Sequence, residues 1–140
     1  MKIHFVGFFI GIKWEKIEIM NIRNIYEWIC SAPMLVGEKV NLDYLPANAG
    51  WSVTTPRTKT NTDILGNSWE SVEVTITRRK SVSGNADRLN LLDEMDALRV
   101  WAKENPPDGG RVVPAGISKP KSRSAAGTED FALTLRVEEG

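Results

Sequence analysis

Histidine and cysteine are nearly missing from this chain of 140 residues: His4 and Cys30 each stand alone. A single thiol excludes an intrachain disulfide and any zinc site built on cysteines. A single histidine removes Ser–His and Cys–His triads and most zinc-enzyme ligand sets, unless a partner chain supplies more. Net charge is missing too. Eighteen basic and 18 acidic side chains balance, so no long-range field draws the chain to nucleic acid or to an anionic membrane. Charge-based contacts must come from local patches. The apolar run Phe5–Ile12 falls short of the about 20 residues a membrane span needs. No small-residue cleavage site of a secretory signal follows it. GxSxG, HExxH and CxxC do not occur, and Gly66, Gly109 and Gly110 are isolated turn glycines rather than a phosphate-cradling loop.

What is present describes an ordinary globular chain: 41% hydrophobic and 26% charged residues, in a length that fits one domain. The stretch that organises it is Trp69–Lys80, WESVEVTITRRK. Val72, Val74 and Ile76 alternate with Glu73, Thr75 and Thr77, which predicts a half-buried strand. Asn85–Glu104 predicts a long amphipathic helix, with Leu91, Met95, Leu98 and Ala102 on one stripe and Leu92 and Trp101 widening it. Asn85 is its expected N-cap, with Asp87 in the first turn.

The remaining elements follow in order. Residues 1–19 differ from the rest and are expected to lie outside the fold, with 20–140 as the single domain. Met20 is then the natural start, and the Trp14–Glu15 codons give a purine core like a ribosome-binding site read through as protein. Without the leader the formal charge is −1 and the only histidine is gone. Asn21–Ser31 reads as a helix with the stripe Ile22, Ile25, Tyr26, Ile29 and with Cys30 beside it as a small buried hydrophobe. Pro33 ends it. Trp28, at the stripe edge, suits either core packing or an interface anchor. Lys39–Leu45 and Trp51–Thr55 alternate as strands and suggest a β-hairpin joined by Pro46–Gly50. Pro56–Ser68 reads as a long polar loop of the kind that is functional or mobile. Arg111–Arg123 contains Pro114 and Pro120, which makes it an edge strand running into a loop. Thr128–Glu138 alternates Phe131, Leu133, Leu135 and Val137 as a closing strand. The sum is an α+β two-layer sandwich: a mostly antiparallel four- to five-stranded sheet with two helices packed on one face.

Charged clusters are the only polar features left to weigh. Asp93, Glu94 and Asp96 lie opposite the helix's apolar stripe, where carboxylates normally just solvate a surface. The basic clusters 57–59, 78–80 and 111–123 lack the interleaved aromatics of a single-strand nucleic-acid surface. They read as solvated loops or as assembly contacts. The candidate interface residues are Arg57, Lys59, Asp63, Arg78, Arg79, Lys119, Lys121 and Arg123.

The order of segments carries a resemblance. The helix NIRNIYEWI precedes the strand end LDYLP, a WSV strand and a loop holding D-x-x-G. The strand VTITRR, the helix NLLDEMDALRVWA and an alternating closing strand come next. Over residues 20–138 this resembles the small minor capsid or tail terminator proteins of tailed bacteriophages. The leader departs from that pattern. The resemblance implies a non-enzymatic virion protein that forms a ring, usually of six copies, on the tail tube. Such a ring ends tube polymerisation and joins the tail to the head-side connector. It implies heterologous contacts between copies, with Pro56–Ser68 and Pro114–Ala126 reaching the tube protein or the connector. It also implies a lumen in passing contact with genomic DNA, assembly in the host bacterial cytoplasm, and a place at the head-proximal end of the tail. Neither the residues nor the resemblance nominates a catalytic group, cofactor or metal. Two alternatives remain open: a head-side neck or stopper protein, and a small ligand-binding α+β module.

Overall fold

The computed structural model describes residues 21–118, 121–122 and 127–139; the leader, Lys119 and Arg123 lie outside them. Two helices and a seven-stranded open sheet make an α+β fold. The elements are α1 (Ile22–Cys30), β1 (Val40–Leu42), β2 (Gly50–Val53), β3 (Arg57–Thr62), β4 (Ser68–Ser81), α2 (Asn85–Glu104), β5 (Gly110–Ile117), β6 (Lys121–Ser122) and β7 (Thr128–Glu139). The sheet order is β1-β2-β4-β7-β5, with β3 also on β4 and β6 also on β7.

Strands β4 and β7 form the spine, paired antiparallel from Ser71↔Glu138 to Ser81↔Thr128. The expected closing strand is therefore central, and β5 lies on the edge, where its bulge between Pro114 and Gly116 is tolerated. Period-two alternation sorts the faces. Val72, Val74 and Ile76 of β4 share one face with Phe131, Leu133, Leu135 and Val137 of β7, and all are buried. On this face they join the α2 stripe Leu91, Met95, Leu98 and Ala102 and the α1 residues Ile25 and Ile29 in one core. The other face carries polar residues, among them Ser71, Thr75, Thr134 and Glu138. Cys30 is half-buried beside this core rather than inside it, and burial pushes its thiol pKa up.

Both helix starts are set by side chains, though not the same way. Asn21 caps α1, its Oδ1 accepting from the Arg23 and Asn24 amides. Asn85 is not the cap of α2 as expected; Gly84 occupies that position without a side-chain bond. Asp87 does the work from inside the first turn by accepting from the Ser83 amide and hydroxyl, which holds its carboxyl below the usual range. The Arg88 guanidinium then ties this turn to the buried Glu129 of β7, with a shortest contact of 2.6 Å.

Two expectations about the middle of the chain are corrected. β1 and β2 do not form a hairpin: they pair parallel, Val40↔Trp51 to Leu42↔Val53. Asp43 is the reason. It adopts a left-handed backbone, φ 57°, which ends β1. Its amide donates to the Val53 carbonyl at 2.9 Å, and its carboxylate accepts from the Thr55 amide and hydroxyl. The Thr55 hydroxyl bond holds the Asp43 carboxyl below its ordinary value. The chain then returns past Pro46, which packs so close to Gly50 that a Cβ there would lie 2.9 Å from its ring.

The expected loop Pro56–Ser68 is mostly strand. β3 runs antiparallel to β4 from Arg57↔Glu73 to Thr62↔Ser68. It continues β2 along the same edge of β4, with one residue of slip after Val53↔Ile76. Pro56, which has no amide hydrogen to give, sits in that slip. Thr54 keeps the ladder bonded across it: the Thr75 amide donates to its hydroxyl at 3.0 Å. With the two-residue β6, β3 raises the strand count from the expected four or five to seven.

Candidate functional site

Thr58, Thr60 and Thr62 give β3 strand propensity without any apolar face. Every β3 residue but Asn61 is exposed. The turn Asp63–Asn67 closes the hairpin by a dense set of bonds. The Asp63 Oδ1 accepts from the Leu65 and Asn67 amides, its Oδ2 accepts from the Asn67 side chain, and Gly66 takes φ 87°. The Asn67 side chain leads in holding the Asp63 carboxyl low. Beyond Ser71 the first residues of β4 pair with β3, not with β7. The end of the hairpin, Thr60↔Glu70 to Thr62↔Ser68 and the turn beyond, is thus a short arm that reaches past the end of the central pair, roughly 10 Å at ordinary strand rise.

A polar, tightly bonded arm ends in two apolar side chains. Ile64 is 98% exposed and Leu65 is 82% exposed. Nothing in the described residues packs on them. Two adjacent large apolar side chains held in water by an ordered turn form a candidate contact surface.

The arm is rooted in a charge network on the polar sheet face. Glu138 is its centre: Arg111 donates to it at 2.9 Å, Trp69 at 3.2 Å, and the Arg136 Nε lies 3.2 Å away. The Arg111 guanidinium in particular holds the buried Glu138 carboxyl below the usual range, against the opposing effect of burial. Arg57 reaches Glu73 at 3.6 Å and stays largely in water, and Glu73 stands opposite Arg136 in register. Opposite charges thus alternate across β3, β4 and β7 in the row Arg57, Glu73, Arg136, and Arg111 of β5 stands opposite Glu138.

The candidate residues fall into two groups. Arg57 and Lys59 lie on the exposed edge strand at the base of the arm, opposite Glu73 and Ser71, and Asp63 lies in the turn at its tip. Arg78 and Arg79 lie at the other end of β4, on strand rather than loop, and on opposite faces. The guanidinium of Arg78 sits 4.6 Å over the ring of buried Trp51, with Glu94 of α2 at 3.4 Å. Glu94 is therefore not a mere solvated carboxylate of the helix. Arg79 makes a two-toothed pair with Asp130, at 2.7 and 2.8 Å, and donates to the Pro46 carbonyl at 3.0 Å. Lys121 pairs in register with Asp130, so the two strands flanking Asp130 bring Arg79 and Lys121 to one level of the sheet.

Sequence reasoning missed the apolar tip. The signal was there: Ile64 and Leu65 are the only large apolar residues in the otherwise polar 56–68 stretch. A shallow open cleft of about 300 Å³ lies between the end of β4 and the first half of α2, lined by Lys80, Ser81, Asp87, Asn90, Leu91 and Glu94. Among the described residues, no cluster of acidic, histidine or cysteine side chains is arranged to hold a metal ion. No described helix is long and apolar enough to cross a membrane.

No protein-family model and no curated protein sequence matches the chain. Solved structures do. One, whose name carries no functional description, is 12% identical with a TM-score of 0.51, covering 91% of this chain and 95% of its own. It shows the fold alone. Another belongs to the virion of a native gene transfer agent particle, at 19% identity and a TM-score of 0.45, covering 83% of this chain and 92% of its own. That likeness is too loose to carry a structural argument.

Proposed function

We propose that this protein is a structural component of a phage-type virion. On this reading it is no enzyme: copies join as a ring, of about six, on the head-proximal end of a tail tube. The ring ends tube growth and offers its other side to the head connector. The observation that carries this reading is the β3–β4 arm. An ordered hairpin with Ile64 and Leu65 at its tip in water costs solubility, and that cost is offset only when the tip docks on another chain. The resemblance of LDYLP, VTITRR and LLDEMDALRVWA to tail terminator proteins supplies the kind of assembly. Within it, the Asp63 turn forms the reaching surface, and Arg57 and Lys59 line the exposed edge at its base. Arg78 and Arg79 stiffen the opposite end of β4 and act through the shape they hold.

Electron microscopy of the purified protein mixed with tail tubes tests the proposal. Density confined to one end of each tube supports it. Bare tube ends, or capture of connector without tube, contradict the terminator role; the second result makes the protein a head-side neck component.

A further inference from the structure

β3 is a regular strand with one edge unpaired. The Asp63 amide donates to the Asn67 carbonyl, and the Thr54 amide donates to the Thr75 carbonyl. Bonded and non-bonded positions alternate along an antiparallel pair. Both bonds therefore turn the backbone groups of residues 57, 59 and 61 toward β4. Thr58, Thr60 and Thr62 turn theirs outward: three N–H groups and three carbonyls without a partner among the described residues. The other outer edges described are short or interrupted. β1 has three residues and gives its Val40 carbonyl to the Tyr26 hydroxyl, β6 has two residues, and β5 carries Pro114 and a bulge.

An open, regular edge is a template for another strand, and β3 is complementary to itself. With two copies antiparallel about a twofold axis and Thr60 opposite Thr60, Thr58 stands opposite Thr62 at either side. Every outward N–H and carbonyl of both strands is then bonded, and each bonded position is a favourable threonine pair. On the other face Lys59 meets Asn61, and Arg57 comes level with Asp63. Arg57 is largely in water, 3.6 Å from Glu73. The Asp63 carboxylate accepts N–H bonds from Leu65 and Asn67 but pairs with no cation among the described residues.

Other antiparallel registers are poorer. A slip of one residue sets outward groups against inward ones. A slip of two in one direction sets Lys59 against Lys59 and brings Pro56, which has no amide hydrogen, opposite Thr62. A slip of two in the other direction sets Thr58 against Ile64, beyond the end of the strand.

We propose that the free protein pairs its β3 edge with β3 of a second copy of this chain, antiparallel and with Thr60 on the twofold axis. The same register carries each Ile64–Leu65 tip to the level of Pro56 and Thr55 in the other copy. Thr55 there holds Asp43, whose chain neighbours Leu42 and Tyr44 are exposed. Two apolar surfaces that are separate in one chain thus come together in two. An isologous contact closes at two copies, so this pair is the unassembled form and is distinct from the ring contact.

Single cysteines in the full-length chain read the register. Thr60→Cys, Lys59→Cys and Asn61→Cys are compared under oxidised glutathione, with the wild type and its Cys30 as the blank. Opposed Cα atoms of a bonded pair lie about 5.5 Å apart, within disulfide reach. Only residue 60 faces itself, so Thr60→Cys is expected to form covalent dimer about tenfold faster than the other two. Thr60→Pro removes an outward N–H and no bond to β4. It is expected to weaken self-association about tenfold or more in sedimentation velocity, with circular dichroism unchanged. Fastest cross-linking at residue 59 or 61, or a folded Thr60→Pro variant that associates like the wild type, overturns the pairing. A wild type that is monomeric in solution yet caps tube ends overturns the pairing and leaves the ring reading standing. Dimers cross-linked through residue 60 beside tubes that stay uncapped support the pairing and overturn the ring.

Discussion

The indole of Trp28 stacks on that of Trp101, centroids 5.6 Å apart and planes 25° apart, and its Nε1 donates to the Asn105 carbonyl at 2.6 Å. One side chain thus fastens α1 to the last turn of α2 and satisfies a helix-end carbonyl. Trp28 serves packing within the chain, the first of the two roles its sequence position suggested.

Trp28→Ala is expected to cost about 2 kcal/mol, since it removes both the stack and the bond. Trp28→Phe keeps a ring over Trp101 and is expected to cost about half as much. Urea unfolding of the two variants reads the difference; equal losses would deny the stack its part.

Glu138 gives the fold an acid-sensitive lock. Its carboxyl is held below the usual range first by Arg111, so its contribution to stability is fully present above the unfolded-chain value of about 4.3. That contribution is lost as pH falls through the depressed native value. Glu138→Gln is expected to lower stability at pH 7 by about 2 kcal/mol and to flatten the fall below pH about 4. Urea midpoints measured from pH 7 to pH 3 check both. A parallel downward shift with an unchanged acid limb would contradict the assignment.

The arm's order depends on its turn. Gly66 at φ 87° has open space where a Cβ would go, so Gly66→Ala meets backbone strain only and is expected to cost about 1 kcal/mol. Asp63→Ala removes the bonds to Leu65 and Asn67. It is expected to speed amide exchange across β3 while Leu133 and Leu135 stay protected. Exchange that accelerates equally in arm and core would show that the arm is not a separate unit.

Ile64→Asp combined with Leu65→Asp is expected to leave the unfolding free energy within about 0.5 kcal/mol of wild type, because neither side chain is packed in the chain. The same variant is expected to lose assembly. Light scattering and urea unfolding on one preparation separate the two effects; destabilisation equal to that of a core substitution would place the tip inside the fold.

Much of the spine was legible because one face of it is buried. The alternation in WESVEVTITRRK announces β4, and the stripe Leu91, Met95, Leu98, Ala102 announces α2. That same alternation puts Arg78 on the face of Val72, Val74 and Ile76, a signal of its seat over Trp51 that the cluster Arg78-Arg79-Lys80 hid. β3 was illegible for the opposite reason. RTKTNT buries no face, so period two leaves no apolar trace, and only its alternate threonines hinted at a strand. The parallel pairing of β1 with β2 depends on Asp43 turning left-handed and on Thr55 holding it, a tertiary arrangement no local pattern records. The Pro46–Gly50 turn signals pointed to a hairpin because such clusters usually make one. The interface residues were chosen for charge, while the exposed apolar pair that gives the arm its meaning lay between them.

The most direct measurement is of tube length. Tail-tube protein is allowed to polymerise with increasing amounts of this protein, far below one copy per tube subunit, and lengths are read by electron microscopy. The account predicts that growth stops in proportion to the dose and that each arrested end carries a cap. Tubes of unchanged length with uncapped ends at every dose would contradict it.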